Sequence, residues 1–167
     1  MDDIVQGTGT DQFDYVGGGW GHASGEGAPA NPYDGTNSYD LTAGDYATMT
    51  FNGTQIAYYA VTDSKHGIAA VSIDGGPETL VDLYSPSRIG DVLVWKSPVL
   101  SAGVHTLKIR VTGTKNPASS NYYVTIDRTE ITTPSPSDSR GTTAVTISSV
   151  RQLRVPRLTR PGPPGVG

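Results

Sequence analysis

From Asp45 to Ile131, turn-forming residues return at intervals of roughly 8–12 positions, and apolar and polar residues alternate between them. The cleanest stretch places His105, Leu107, Ile109 and Val111 on one face and Thr106, Lys108, Arg110 and Thr112 on the other. A period of two belongs to a strand with one buried face, and no window carries the 3.6-residue period of a helix. Without a crossover helix, successive strands cannot pair in parallel. The pattern predicts an all-β fold, an antiparallel β-sandwich (jelly roll) of about seven short strands. Its inward set is Met49, Phe51, Val71, Ile73, Val81, Leu83, Leu107, Ile109, Val111, Val124 and Ile126. Asn52-Gly53 reads as a hairpin turn and Asp74-Gly75-Gly76 as another. Asp11–Asn37 contains Gly17-Gly18-Gly19-Trp20-Gly21-His22 and reads as one long surface loop with embedded aromatics.

Composition divides the chain at Ile131. Residues 1–131 hold all thirteen aromatics, and their seven basic and fifteen acidic residues give a formal charge of −8. Residues 132–167 have no aromatic, one acid and five arginines. They open on Thr132-Thr133-Pro134-Ser135-Pro136-Ser137, a linker composition, and are expected to form a disordered basic tail. An acidic body argues against nucleic acid as a partner. No apolar run approaches the roughly 20 residues of a membrane span. The residues after Met1 lack the basic and apolar regions of a secretory leader, which is therefore expected to be absent or removed. The lack of cysteine excludes disulfides, thiolate chemistry and cysteine-ligated zinc.

No G-x-S-x-G, H-E-x-x-H or phosphate-binding loop is present. Paired carboxylates for glycoside hydrolysis have no signature of their own, since the fold sets their separation. A body of ~130 residues built from short strands is a poor host for a deep catalytic cleft, so the chain reads as non-catalytic. His105 lies on an apolar strand face and reads as a packed histidine, whereas His22 and His66 sit in polar loops where they can meet a ligand.

The aromatics carry more information. Trp20 is flanked by glycine, Tyr33 follows Asn31-Pro32, and Tyr84 enters a Ser-Pro-Ser loop. Flat rings with nearby Asp, Arg and His are what a sugar face and its hydroxyls require. The candidate binding residues are Trp20, His22, Tyr33, Asp82, Tyr84, Arg88 and Trp95. Asp82 and Arg88 would orient the ligand by hydrogen bonds. The competing reading folds Trp20 back over the end of the sandwich and buries Trp95 within its strand. Parity makes one ring of Tyr58-Tyr59 core; in Tyr122-Tyr123 it puts Tyr122 on the face of Val124 and Ile126 and leaves Tyr123 outward.

The ordered motifs G-T-x-I (53–56), H-G-I-A-x-V-S-I-D-G (66–75), V-D-L-Y-S (81–85), L-x-x-G-x-H-T-L-K (100–108) and T-G-T-K-N (112–116) span much of residues 1–131. In these the chain resembles the β-sandwich carbohydrate-binding modules appended to bacterial cellulases and other glycoside hydrolases. The resemblance implies a monomeric, non-catalytic, extracellular module that binds plant cell-wall polysaccharide, β-glucan or xyloglucan first, and holds an attached glycoside hydrolase on it. No cofactor is required. Modules of this kind often carry a structural calcium, for which Asp2, Asp3 and Asp127 are the candidates where the chain ends adjoin; the alternative leaves them as solvated acids. The reading from another class is a structural or adhesive sandwich that spaces its neighbours and binds no glycan. Because the tail offers no aromatic to bury, removing residues 133–167 is expected to leave Tm unchanged, as a thermal melt of the truncated chain will measure.

Overall fold

The computed structural model describes residues 1–134; the predicted tail lies outside them apart from its first three residues. Among the described residues there are eleven strands, one 3₁₀ turn (Tyr33–Gly35) and no α-helix. In chain order the strands are β1 (Phe13–Val16), β2 (Gly21–Ala23), β3 (Asn37–Asp40), β4 (Tyr46–Gly53), β5 (Gln55–Thr62) and β6 (Ile68–Ile73). They continue with β7 (Thr79–Asp82), β8 (Ile89–Lys96), β9 (Gly103–Val111), β10 (Val124–Ile126) and β11 (Arg128–Thr132). One layer is a five-stranded antiparallel sheet in the order β1-β4-β9-β6-β7. Opposite it lie two three-stranded sheets, β10-β3-β2 and β11-β5-β8. Asp127 links these two, since β10 pairs with β3 and β11 with β5. The fold is the antiparallel β-sandwich that the alternation predicts.

The centre of the large sheet has the expected register. Leu107 and Ile109 on β9 face Met49 and Ala47 across β4, and Ile73 and Val71 across β6. The predicted inward set is buried, with Ile73 partly so and packed against the core. Each fully buried aliphatic or aromatic side chain contributes about 1.5–3 kcal/mol by leaving water. The second layer adds Ile56, Tyr58, Val124 and Ile126, with the Tyr58 hydroxyl donating to the Thr125 carbonyl. Lys108 and Arg110 point outward, the first 4.0 Å above the Tyr46 ring and the second bonded to both oxygens of Glu78.

Turn chemistry was read correctly at one site and not at another. Asp74 and Gly75 have φ of 53° and 68°, and the Gly76 N–H closes the β6–β7 hairpin on the Ile73 carbonyl at 2.9 Å. That geometry suits Asp-Gly, because both central residues need positive φ. Asn52-Gly53 makes no hairpin. β4 and β5 lie in opposite layers, so the chain crosses the sandwich there instead of folding back. The segment Asp11–Asn37 is not a single loop, for it contains β1 and β2 and ends at the start of β3. Strands of three or four residues show too little alternation to register in a sequence. The last strand runs to Thr132, which pairs with Gln55.

The register predicts an asymmetry between neighbours on β9. Leu107→Ala is expected to cost about 2–5 kcal/mol and Lys108→Ala about 1 kcal/mol or less, as urea denaturation of the two variants will test.

Candidate functional site

On β3 the usual pattern is inverted. Ser38 and Asp40 point into the sandwich, while Asn37 and Tyr39 occupy the outer face. β2 and β10 flank this face, with Ala23 opposite Asn37 and both Gly21 and Thr125 opposite Tyr39. A Cβ at position 21 would lie 2.6 Å from the Tyr39 ring, so any other residue there would displace that ring. The ring settles over the bare backbone of β2. Around this floor stand Glu26, the Asp63–His66 link between β5 and β6, Arg88, and Tyr123 just before β10. Backbone bonds from Gly67 N–H to the Tyr123 carbonyl (2.8 Å) and from Tyr123 N–H to the Lys65 carbonyl (3.3 Å) hold two of these walls together. The result is an open cleft of about 340 Å³.

Its chemistry is polar and aromatic. Arg88 Nη2 lies 2.6 Å from Glu26 Oε2, and its Nε lies 3.8 Å from Asp63 Oδ2. Asp63 Oδ1 accepts from the Ser64 hydroxyl and the Lys65 N–H. His66 Nδ1 donates to the Val61 carbonyl at 2.8 Å, which leaves Nε2 as the acceptor of the neutral ring. Burial pushes the His66 pKa below its ordinary value. The Tyr39 and Tyr123 rings meet at 6.0 Å and 78°, and Tyr123 meets His66 at 6.4 Å and 64°. Asn37 is only 2% exposed, and its Oδ1 has no hydrogen-bond partner. A buried orphan acceptor costs about 1–3 kcal/mol, a cost that an incoming O–H or N–H removes.

Of the seven residues predicted from sequence, Arg88 lines this cleft. Asp82 and Tyr84 are neighbours: Asp82 accepts from the Tyr84 N–H and from the Asn116 amide, and Tyr84 bridges to Asp63 through its backbone. Trp20 and His22 gather instead around Tyr15, each ring 4.8 Å from it, and Trp20 packs against the core. His22 Nδ1 lies 2.7 Å from the Ser38 hydroxyl, on the face of β2–β3 opposite the cleft. Tyr33 is 42% exposed and lies in a separate depression with Asp91, Arg128 and Glu130, the Arg128 guanidinium 5.2 Å from its ring. Trp95 is half-buried on β8 opposite Tyr58 and packs on the core. The seven therefore do not share one surface, because strands β2 and β3 separate Trp20 and His22 from Arg88. Tyr122 is not core, as parity suggested: the strand begins only at Val124, and Lys115 sits 5.0 Å over the exposed Tyr122 ring. Tyr123 faces outward as expected and His66 meets the cleft. Asn37 and Tyr39 carry no period-two signal in the chain, because Ser38 and Asp40 between and after them are polar and buried.

The chain ends do adjoin, with the Asp3 N–H donating to the Asp127 carbonyl at 3.1 Å. Asp3 and Asp127 are buried, not solvated. Asp3 accepts from the Ser38 hydroxyl, and the Thr36 hydroxyl, with a single proton to give, lies 2.7 Å from Asp3 Oδ1 and 2.8 Å from Asp2 Oδ1. The two carboxylate oxygens of Asp127 take the Tyr33 N–H (2.9 Å) and the Asp91 N–H (2.7 Å). Among the described residues no three acidic or histidine side chains converge. Asp2, Asp3 and Asp127 thus do not come together as a group that could hold a metal ion, and each Asp127 oxygen carries a backbone N–H. Burial, with Asp2 beside it, pushes Asp3 up to about 7, and burial pushes Asp127 up to about 6.

No protein-family model matches the chain. It is 34% identical over 76 residues to the A type blood α-D-galactosamine galactosaminidase of Flavonifractor plautii, a stretch covering 46% of this chain and 7% of that protein. In fold it is similar to part of a xanthan lyase from Paenibacillus, with a TM-score of 0.52 and 17% identity over 72% of this chain and 12% of that one. The chain thus spans a small fraction of either relative. The class that the fold defines is an antiparallel β-sandwich domain, similar over less than half of its length to a short stretch of a galactosaminidase.

The buried acids make stability depend on pH. Folded Asp3 holds its proton more tightly than the unfolded chain, whose carboxyl has its ordinary value of 3.8. Its contribution is therefore complete below about 4 and is lost as pH rises through about 7. Tm is expected to be higher at pH 5 than at pH 8, and Asp3→Asn to flatten that difference. Dialysis against a chelator is expected to leave Tm unchanged; a fall would show that a cation binds after all.

Proposed function

We propose that residues 1–134 form a non-catalytic carbohydrate-binding module. The observation that carries this reading is the cleft on β2–β3–β10, where a buried amide oxygen without a partner shares the lining with two tyrosine rings and a guanidinium–carboxylate pair. A sugar brings many hydroxyl donors and apolar C–H faces, which are the two features this lining lacks and can accept. The cleft carboxylates Glu26 and Asp63 both engage Arg88, an arrangement that suits hydrogen-bond positioning better than proton transfer. The similarity to parts of a galactosaminidase and a lyase supports the same reading. In it the module is covalently attached to a glycoside hydrolase, is exported with it, acts as a monomer and needs no cofactor. Its partner is a plant cell-wall polysaccharide, with β-glucan and xyloglucan first. Tethering raises the effective concentration of the enzyme at its substrate even when each contact is weak.

Affinity electrophoresis against β-glucan, xyloglucan, xylan and galactan tests the assignment, with α-D-galactosamine as a soluble competitor suggested by the relative's substrate. Retardation by at least one polysaccharide is expected. Tyr39→Ala is expected to weaken it by about 2 kcal/mol, roughly 30-fold, without lowering Tm. Trp20→Ala is expected to lower Tm and leave retardation in place, since that ring packs on the core. A wild-type chain retarded by nothing returns the domain to the spacer reading.

A further inference from the structure

We infer that the cleft receives a single sugar unit end-on, at a chain terminus or a side branch, and does not grip a polysaccharide along its backbone. The inference rests on the carbohydrate-binding reading above and concerns which part of a glycan enters. Gripping a chain along its length requires a platform on which successive sugar rings lie side by side. Here the two rings of the cleft, the exposed Tyr39 and the half-buried Tyr123, stand at 78° to each other with centroids 6.0 Å apart. They meet edge to face and so offer no continuous flat platform, which leaves the exposed Tyr39 face as a surface for one sugar ring at a time.

Depth points the same way. The group awaiting a partner is deeply placed: Asn37 is 2% exposed, while Thr125, 1% exposed on the neighbouring strand, has its hydroxyl already given to the Val61 carbonyl. A hydroxyl must descend below the Tyr39 ring, which is 37% exposed, to reach the Asn37 amide. A sugar bonded on both sides into an extended chain lies across the opening, whereas a terminal unit enters. The Arg88–Glu26 pair at the rim is partly exposed on both sides, so its planar groups remain open to adjacent hydroxyls of the same unit. The volume of about 340 Å³ lies at the small end of the roughly 300–1,000 Å³ typical of small-molecule sites.

The test uses the full chain labelled with ¹⁵N. It is titrated with free D-glucose, D-xylose, D-galactose and L-arabinose, and with linear gluco- and xylo-oligosaccharides of increasing length, while the Asn37 side-chain amide signals are followed. One or more monosaccharides are expected to shift those signals, and affinity is expected to change less than about threefold from the single unit to the longest oligomer. An excess of the binding monosaccharide is expected to release the protein from a retarding polysaccharide gel. Asn37→Ala, which lacks that side-chain reporter and is followed by its backbone amide signals and by gel retardation, is expected to lose sugar binding while Tm stays unchanged, because the side-chain oxygen it removes makes no bond in the fold. Affinity that climbs tenfold or more with oligomer length overturns end-on entry and leaves the module reading standing. Wild-type affinity in Asn37→Ala overturns the role given to the amide, and with it the inference. Binding to no sugar of any length, and to no polysaccharide, overturns both.

Discussion

The fold depends on how Asp127 is buried. Its side chain accepts the N–H groups of Tyr33 and Asp91, and its backbone bonds to Asp3 and to Tyr59, so four distant segments meet at one residue. It also divides the final stretch of chain into a half that pairs with β3 and a half that pairs with β5. A buried carboxylate is expensive unless hydrogen-bonded, so any arrangement that withdrew those donors would leave it exposed to that cost. Asp3 works in parallel: its carboxylate takes the Ser38 hydroxyl, lies 2.7 Å from that of Thr36, and so ties the N-terminal segment under β3. Between them the two acids hold β3 in place, and β3 is the floor of the cleft.

This explains why polar residues occupy the inner face of β3. Ser38 is spent on Asp3, and Asp40 accepts the Thr42 N–H, so the inner side of this strand works as an anchor more than as hydrophobic core. The outer side is thereby left to Asn37 and Tyr39. The same trade appears on the far side of the module, where Arg128 lies 3.7 Å from the Tyr59 ring and bonds to Asp91 and Glu130. Tyr33 is exposed, yet that guanidinium already covers one of its faces. Exposure alone therefore does not separate a binding ring from a structural one. In the cleft the rings stand beside a polar atom without a partner, Asn37 Oδ1, whereas the orphan indole N–H of Trp20 belongs to a ring packed on the core.

The amino-acid sequence by itself determined the sandwich and the register of its large sheet. Burial of one sheet face imposes a period of two that is written locally, and β9 carries it without interruption, so Leu107 and Ile109 were assigned inward and Lys108 and Arg110 outward from the chain alone. The Asp74-Gly75 turn was equally legible, because positive φ at two successive residues is a demand that few residue types meet. The cleft was not legible. Its floor comes from strands of three and four residues, too short to display a period, and one of them reverses the usual pattern because its inward Ser38 bonds to a buried acid and its inward Asp40 to a backbone N–H. Its walls come from Glu26, Asp63, Arg88 and Tyr123, which only the crossing of strands between layers brings together. Arg88 was found from its residue type, whereas Trp20, no less suggestive in sequence, was turned away by β2. Tertiary structure made those decisions because a side chain's neighbours across a sandwich depend on which strands pair, and pairing is settled by contacts between residues distant in the chain.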